Sequence, residues 1–263
     1  MTNNKYKILM LTDLKSSPEH LLENALNLAK HVNGDLDIFH VKKASEVVEK
    51  DNQLNAIRSI KDEHKIIDKR IKNLISSSSN LCKINYSYSL GYIKDEIEKH
   101  IKEIKPDIIV LGKRKTKSLN IIGDNITRFI LKKYKGDIFI ASSNSVIKQK
   151  SDMSLGIFNN TEKTSNIAND LVACSKKPIK SFKIIDSLPS NKKEENINSN
   201  PNIIEYAFEK QPNTFKNISK YLLKSKVDLF CVNRKNDTNT SFIKKTELEQ
   251  LVSSINIPLF ITG

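Results

Sequence analysis

Two kinds of hydrophobic pattern alternate along the first 141 residues. Short, nearly continuous apolar blocks occur at Tyr6–Thr12 (YKILMLT), 36–41 (LDIFHV), 107–111 (DIIVL) and Asp137–Ala141 (DIFIA). Between them, apolar residues recur every three or four positions. One set is Leu22, Ala25, Leu28, Ala29 and Val32; the next is Leu54, Ile57, Ile60, Ile67, Ile71 and Leu74. A third is Ile93, Ile97, Ile101 and Ile104, and a fourth is Ile126, Phe129 and Ile130. The blocks predict strands covered on both faces, and the spaced positions predict helices buried along one stripe. A further strand at 82–87, where Ile84 and Tyr86 alternate against Lys83 and Asn85, has the pattern of a strand near a sheet edge. The punctuation agrees. Asn33-Gly34 stops the first helix, Ser76 to Ser79 break the second (53–75), and Pro106 ends the third. Five strands alternating with helices predict an α/β fold with a doubly wound parallel sheet, because parallel neighbours need crossovers that helices supply.

The second half repeats the first. DIIVLGKRK at 107–115 aligns with DLFCVNRKN at 228–236, each after a helix with an apolar stripe, which in the second copy includes Phe215, Ile218 and Leu222. Strands at 154–158, 182–185, 203–208 and 258–262 complete the series. So do helices at 164–175 and at Leu248, Leu251, Val252 and Ile255. The expected organisation is two tandem five-stranded α/β domains with helices on both faces, 1–145 and 152–263, joined by a short polar segment. The second copy is truncated. Only the polar stretch 187–200 lies between its second and third strands, Asn160 stands where the first copy has Asp13, and Asn233 stands where it has Gly112.

Candidate chemistry concentrates at 106–130, PDIIVLGKRKTKSLNIIGDNITRFI, where a strand runs into a glycine, a basic loop, a second glycine and a helix at 124–133. Gly112 is read as a sharp turn where a Cβ would clash, and Gly123 as the same just before the helix. The first turn of that helix offers unpaired N–H groups and the positive end of the peptide dipole, an arrangement suited to phosphate. Lys113, Arg114, Lys115 and Lys117 would add charge. In a doubly wound sheet ligands gather at the carboxyl ends of strands, and Asp13, Val41 and Gly112 all occupy such ends. From Val232 to Pro258 the second copy has no glycine, so an anion site belongs to the first.

Composition narrows the field. The net charge of +14 is spread among acidic residues along nearly every helix, with no polybasic tail, and aromatics make up 6% with no Trp. That pattern describes a solvated lysine-rich surface and argues against nucleic acid as the partner. Cys82, Cys174 and Cys231 have no metal or redox spacing and fit thiols in a reducing compartment. No apolar run approaches the roughly 18 residues of a membrane helix, so no membrane partner and a cytoplasmic location are expected. His40 alternates in a buried strand and reads as a hydrogen-bonded core or rim residue. His20, His31, His64 and His100 lie on helices without partners at metal spacing, so no metal site is predicted beyond magnesium carried by a nucleotide. No nucleophile–base arrangement is legible, so no catalytic residue is assigned.

YKILMLTD at the start, IFHV at the second strand, and PDIIVLG followed by a loop and GDNITRFIL resemble the universal stress protein family in its tandem two-domain form. The resemblance implies an adenine nucleotide alpha hydrolase-like α/β fold that dimerises, or pseudo-dimerises within one chain, through the last strands. It also implies ATP as the cofactor of nucleotide-binding members. Carried onto this chain, the cofactor-binding residues are Asp13, Val41, Gly112, Lys113, Arg114, Gly123, Asp124 and Asn125. Asp13 would contact the nucleoside, the Val41 backbone the base, and Gly112 with Gly123 would frame the phosphates. The family motif is Gly, two residues, Gly, nine residues, Gly, then Ser or Thr. Here Lys115 takes the second glycine position, ten residues separate Gly112 from Gly123, and Asp124 replaces the hydroxyl residue. A carboxylate there repels phosphate by on the order of 1 kcal/mol.

The expected function is therefore that of a non-enzymatic stress-response protein with nucleotide binding in the first domain and at most slow ATP hydrolysis. The alternatives are a nucleotide-free protein-interaction platform of the same family and, third, a basic nucleic-acid binder. Possible partners are the nucleotide, the internal pseudo-dimer of the two domains and a homodimer.

Overall fold

Buried β-rich blocks and amphipathic helices assemble as the alternation predicts. The computed structural model describes residues 5–46, 53–76, 82–113, 125–148, 153–159, 165–185, 203–234 and 245–263. The chain divides into two compact units, Met1–Gly112 and Lys113–Gly263.

Unit 1 runs β1 (Tyr6–Thr12), α1 (Pro18–Val32), β2 (Gly34–Lys42), α2 (Gln53–Ser76), β3 (Ile84–Leu90), α3 (Ile93–Ile104) and β4 (Ile108–Gly112). Its strand order is β3-β2-β1-β4 and every pair is parallel. The apolar blocks fill the centre: Leu9, Met10, Leu36, Ile38, Ile108, Ile109 and Val110 are fully buried. Leu22, Ala25, Leu28, Ala29 and Val32 of α1 pack inward as their spacing predicts. Among the described side chains of α2, Ile67, Ile71 and Leu74 of the stripe are buried, whereas Ile57 is 59% exposed. β3 lies at the sheet edge. It begins and ends later than the 82–87 expected, because its pairing with β2 continues to Lys42↔Leu90.

Unit 2 runs α4 (Asn125–Lys133), β5 (Asp137–Ala141), β6 (Leu155–Phe158), α5 (Asn166–Cys174), β7 (Ile179–Ile185), β8 (Ile203–Glu209), α6 (Thr214–Lys224), β9 (Leu229–Asn233), α7 (Lys245–Ser254) and β10 (Leu259–Thr262). Its strand order is β5-β10-β9-β6-β7-β8, parallel throughout except that β10 pairs antiparallel with β5. Phe139, Phe182, Phe230 and Phe260 form its fully buried aromatic core. The division at Gly112 lies elsewhere than the 145–152 segment, which is where the sequence places the boundary between its two expected copies. α4 and β5 belong to the first copy in sequence, yet β5 hydrogen-bonds β10 and so groups with unit 2.

Candidate functional site

In unit 1 the register places Thr12 opposite His40 and Leu11 opposite Leu111, so Asp13, Val41 and Gly112 emerge at the same, carboxyl end of three adjacent parallel strands. β1 is where chain order reverses: β2 lies on one side and β4 on the other. That is the topological switch point at which α/β sheets open a crevice. The Lys42 carbonyl accepts from Gly91 N–H on the β3 side. By the alternation of a strand, Val41 directs its carbonyl to the β1 side, just where the β1–β2 register ends.

The loop after β1 is tightly wound. Asp13 Oδ1 accepts from the backbone N–H groups of Lys15 (2.9 Å) and Ser16 (3.0 Å), and Oδ2 accepts from Ser16 Oγ (3.2 Å). Leu14 N–H donates to Thr12 Oγ1, and Leu14 and Ser17 hold φ of 56° and 51°, left-handed values that non-glycine residues rarely adopt. The Asp13 carboxylate thus builds the turn that leads into Pro18 at the start of α1. His40 is the hydrogen-bonded rim residue expected: Nδ1–H donates to the Thr12 carbonyl at 2.9 Å. Burial lowers its pKa, opposed by that hydrogen bond and by Asp13. Beside it, Lys42 is ion-paired with Glu63 at 3.2 Å.

Gly112 departs from its expected role. None of the described glycines has positive φ, and a Cβ at Gly112 would meet only Leu21 Cδ2 at 3.5 Å and Cδ1 at 3.7 Å, ordinary van der Waals contact. The expected clash is absent because β4 simply continues through this position. Arg114, Gly123 and Asp124 lie outside the described residues, and Asn125 opens α4.

Lys113, read as a phosphate-side cation, is held inside unit 2. Its Nζ donates to the carbonyls of Val252 (2.9 Å), Ser253 (3.0 Å) and Ile255 at the C-terminal end of α7. Three donors meet three acceptors at the negative end of a helix dipole. Burial nonetheless lowers its pKa to about 8. Arg234, which the repeat aligns with Lys113, does the converse: its guanidinium donates to the carbonyls of Leu131 and Gly136, at and beyond the end of α4. Sequence reading missed this pair. Its signal was a cation kept at the same position in both copies, even where the second copy had lost its glycine.

Known proteins agree with this architecture. A universal stress protein from Archaeoglobus fulgidus is 15% identical with a TM-score of 0.66, over 98% of this chain and 96% of that one. A putative universal stress protein from Pseudomonas aeruginosa UCBPP-PA14 is 10% identical with a TM-score of 0.63, over 98% and 92%. A functionally unknown protein from Pseudomonas aeruginosa PAO1 is 10% identical with a TM-score of 0.58, over 98% and 92%. At such identities these likenesses speak to the fold. No curated protein matches. The family model described as the universal stress protein family matches residues 6–138, just over half of the chain. The chain belongs to the universal stress protein family.

Proposed function

We propose that the protein is a non-enzymatic stress-response protein whose unit 1 binds ATP or a related adenine nucleotide at the carboxyl ends of β1, β2 and β4. The observation that carries this reading is the meeting of Asp13, the inward-turned Val41 carbonyl and the side-chain-free Gly112 around the switch point. A carbonyl there suits an exocyclic amine, a carboxylate suits ribose hydroxyls, and a residue without a side chain leaves room for phosphate. Retention of labelled ATP tests it. Wild type should bind and Gly112→Val should not, while Gly112→Ala, whose methyl fits against Leu21, should keep the fold and separate steric occlusion from misfolding. Asp13→Asn keeps an oxygen for the Lys15 and Ser16 amides but loses the charge, so it should weaken binding without opening the loop. Equal retention by wild type and Gly112→Val would sink the reading.

A second reading, a nucleotide-free interaction platform, is favoured by two observations. Asp13 already serves its own turn, and the Lys113 ammonium is already satisfied by carbonyls. Mass spectrometry of protein purified without added nucleotide distinguishes the two.

The antiparallel β5–β10 ladder supports an internal pseudo-dimer of the two sequence copies. In the repeat, Ile138, Phe139 and Ile140 correspond to Leu259, Phe260 and Ile261. The observed partners are Phe139↔Phe260, Ile140↔Leu259 and Ile138↔Ile261. Phe139 faces its own equivalent and the flanking pairs are exchanged about it, the mark of a twofold relation. Lys113 N–H donates to Ala141 O and Arg234 N–H to Thr262 O in the same symmetric sense, and the Lys113 and Arg234 side chains each reach carbonyls at the C-terminal end of a helix, α7 and α4 respectively.

A further inference from the structure

The outer edge of β8 has no strand beside it among the described residues. β8 ends the unit 2 sheet order and pairs with β7 alone among the described strands. Lys210 N–H donates to Ile185 O on the β7 side. By alternation, even-numbered positions bond inward, and Glu205 and Ala207 direct their N–H and C=O groups outward, as does the N–H of Glu209, whose carbonyl accepts from Thr214 Oγ1 at 2.8 Å. Proteins blunt such an edge with charged side chains, lysine above all, with proline or with a bulge; β8, IIEYAFE, has neither lysine nor proline and runs in unbroken register with β7, and its charges are the two glutamates Glu205 and Glu209.

The two faces of that edge differ in chemistry. On the even face Tyr206 and Phe208 meet Tyr221 of α6, with ring centroids 6.2 Å and 5.3 Å apart. They form the aromatic side of an open groove of about 490 Å³, walled on the α6 side by Asn217, Lys220 and Tyr221. Tyr221 is 44% exposed. On the odd face stand two carboxylates. Glu205 is paired with Lys183 at 2.7 Å, and the Glu209 carboxylate accepts from the Gln211 side-chain amide at 3.3 Å.

We infer that this edge and groove bind an extended peptide segment of a partner protein in which basic and apolar residues alternate. The segment adds to β8 as a further strand. Its apolar side chains enter the groove against Tyr206, Phe208 and Tyr221, and its basic ones lie beside Glu205 and Glu209. Strand addition uses the outward backbone groups for affinity and the period of two for selection. Charge argues against a second copy of this chain, since two β8 edges side by side would bring four glutamates together, and like charges across a strand pair are destabilising. This site is independent of the nucleotide reading for unit 1.

The test is fluorescence anisotropy on the full-length protein with a labelled peptide, Lys-Val-Lys-Tyr-Lys-Val-Lys. Controls are the same peptide with Glu for Lys, and a block rearrangement that keeps composition but loses alternation. The alternating basic peptide should bind, and the two controls should not. Ala207→Pro removes an outward N–H without touching the β7 ladder and should weaken binding about tenfold, the value of one lost hydrogen bond. Glu209→Lys, at an exposed position, should weaken it comparably and guards against misfolding of the proline variant. Circular dichroism and a thermal melt check both. Absent binding, equal binding of the block peptide, or indifference to both substitutions overturns the proposal. A concentration-dependent dimer in sedimentation that Ala207→Pro dissolves also overturns it, by making a second copy the occupant.

Discussion

An ammonium seated among three carbonyls at the end of a helix is held by opposing forces. The Lys113 Nζ is satisfied by Val252, Ser253 and Ile255 and favoured by the α7 dipole, yet its burial penalises the charge and lowers the pKa to about 8. The unfolded chain keeps an ordinary lysine near 10.5. Between pH 8 and 10.5 the unfolded state therefore binds a proton that the folded state has released, and stability from this group rises with pH across that window and is flat below it. Lys113→Met lacks the titration. Urea midpoints should show the variant about 1–3 kcal/mol less stable at pH 7, because the carbonyls lose their donor. The gap should then widen in favour of wild type from pH 8 to 10. A gap independent of pH would mean that the ammonium is effectively solvated. Asp13→Ala tests the neighbouring turn in unit 1. Freeing the Lys15 and Ser16 amides should cost about 1 kcal/mol, read from the same midpoints, whereas Asp13→Asn should cost less. A carboxylate one residue past a strand is of the type and position that cap a loop, so residue type and position alone are consistent with the turn at Asp13. They could not tell that Lys113 turns toward α7, since its acceptors lie about 140 residues away and are backbone atoms with no sequence identity.

Strands and helices obey the same division between near and far. Central strands such as β1, β4 and β5 were legible because burial on both faces demands continuous apolar runs, and their bounds shifted by a residue or less. β3 moved by two residues at its start and three at its end, and β7 by three at its start, since their half-exposed residues follow their neighbours' register rather than their own hydrophobicity. Close approach within the sheet was hidden altogether. Gly156 in β6 leaves a Cβ only 2.9 Å from Phe230 Cδ2, 3.1 Å from Val227 Cγ1 and 3.2 Å from Phe182 Cε2. Those rings are fully buried and packed edge to face 5.5 Å apart, so they have little room to yield. Gly156→Ala should overpack this layer and cost about 1–3 kcal/mol in a chemical denaturation series. A neutral outcome would show that the Phe182–Phe230 pair repacks freely.

At the level of the whole chain, the polar segment near 145–152 is where the sequence predicts one copy to end, but nothing local reveals that β5, just before it, pairs with β10, the last strand of the chain. All five residues of β5 are buried. A chain cut to residues 1–148 would leave that apolar strand without β10, exposing an edge whose own sequence is complementary to itself under a twofold axis. The β5–β10 ladder already sets the geometry, because Phe139 meets its counterpart Phe260 and flanking residues exchange partners about that point. The truncated chain should therefore associate into a dimer with Phe139 opposite Phe139 of the second copy, and with Lys113 reaching the end of its partner's α4 as it now reaches α7. Sedimentation equilibrium should give twice the monomer mass, and Phe139→Lys in the same truncation should give the monomer, since two ammonium groups would meet at the centre of the ladder. A truncated chain that stays folded and monomeric would mean that β5 needs no antiparallel neighbour, and the twofold reading of β5 and β10 would fail with it.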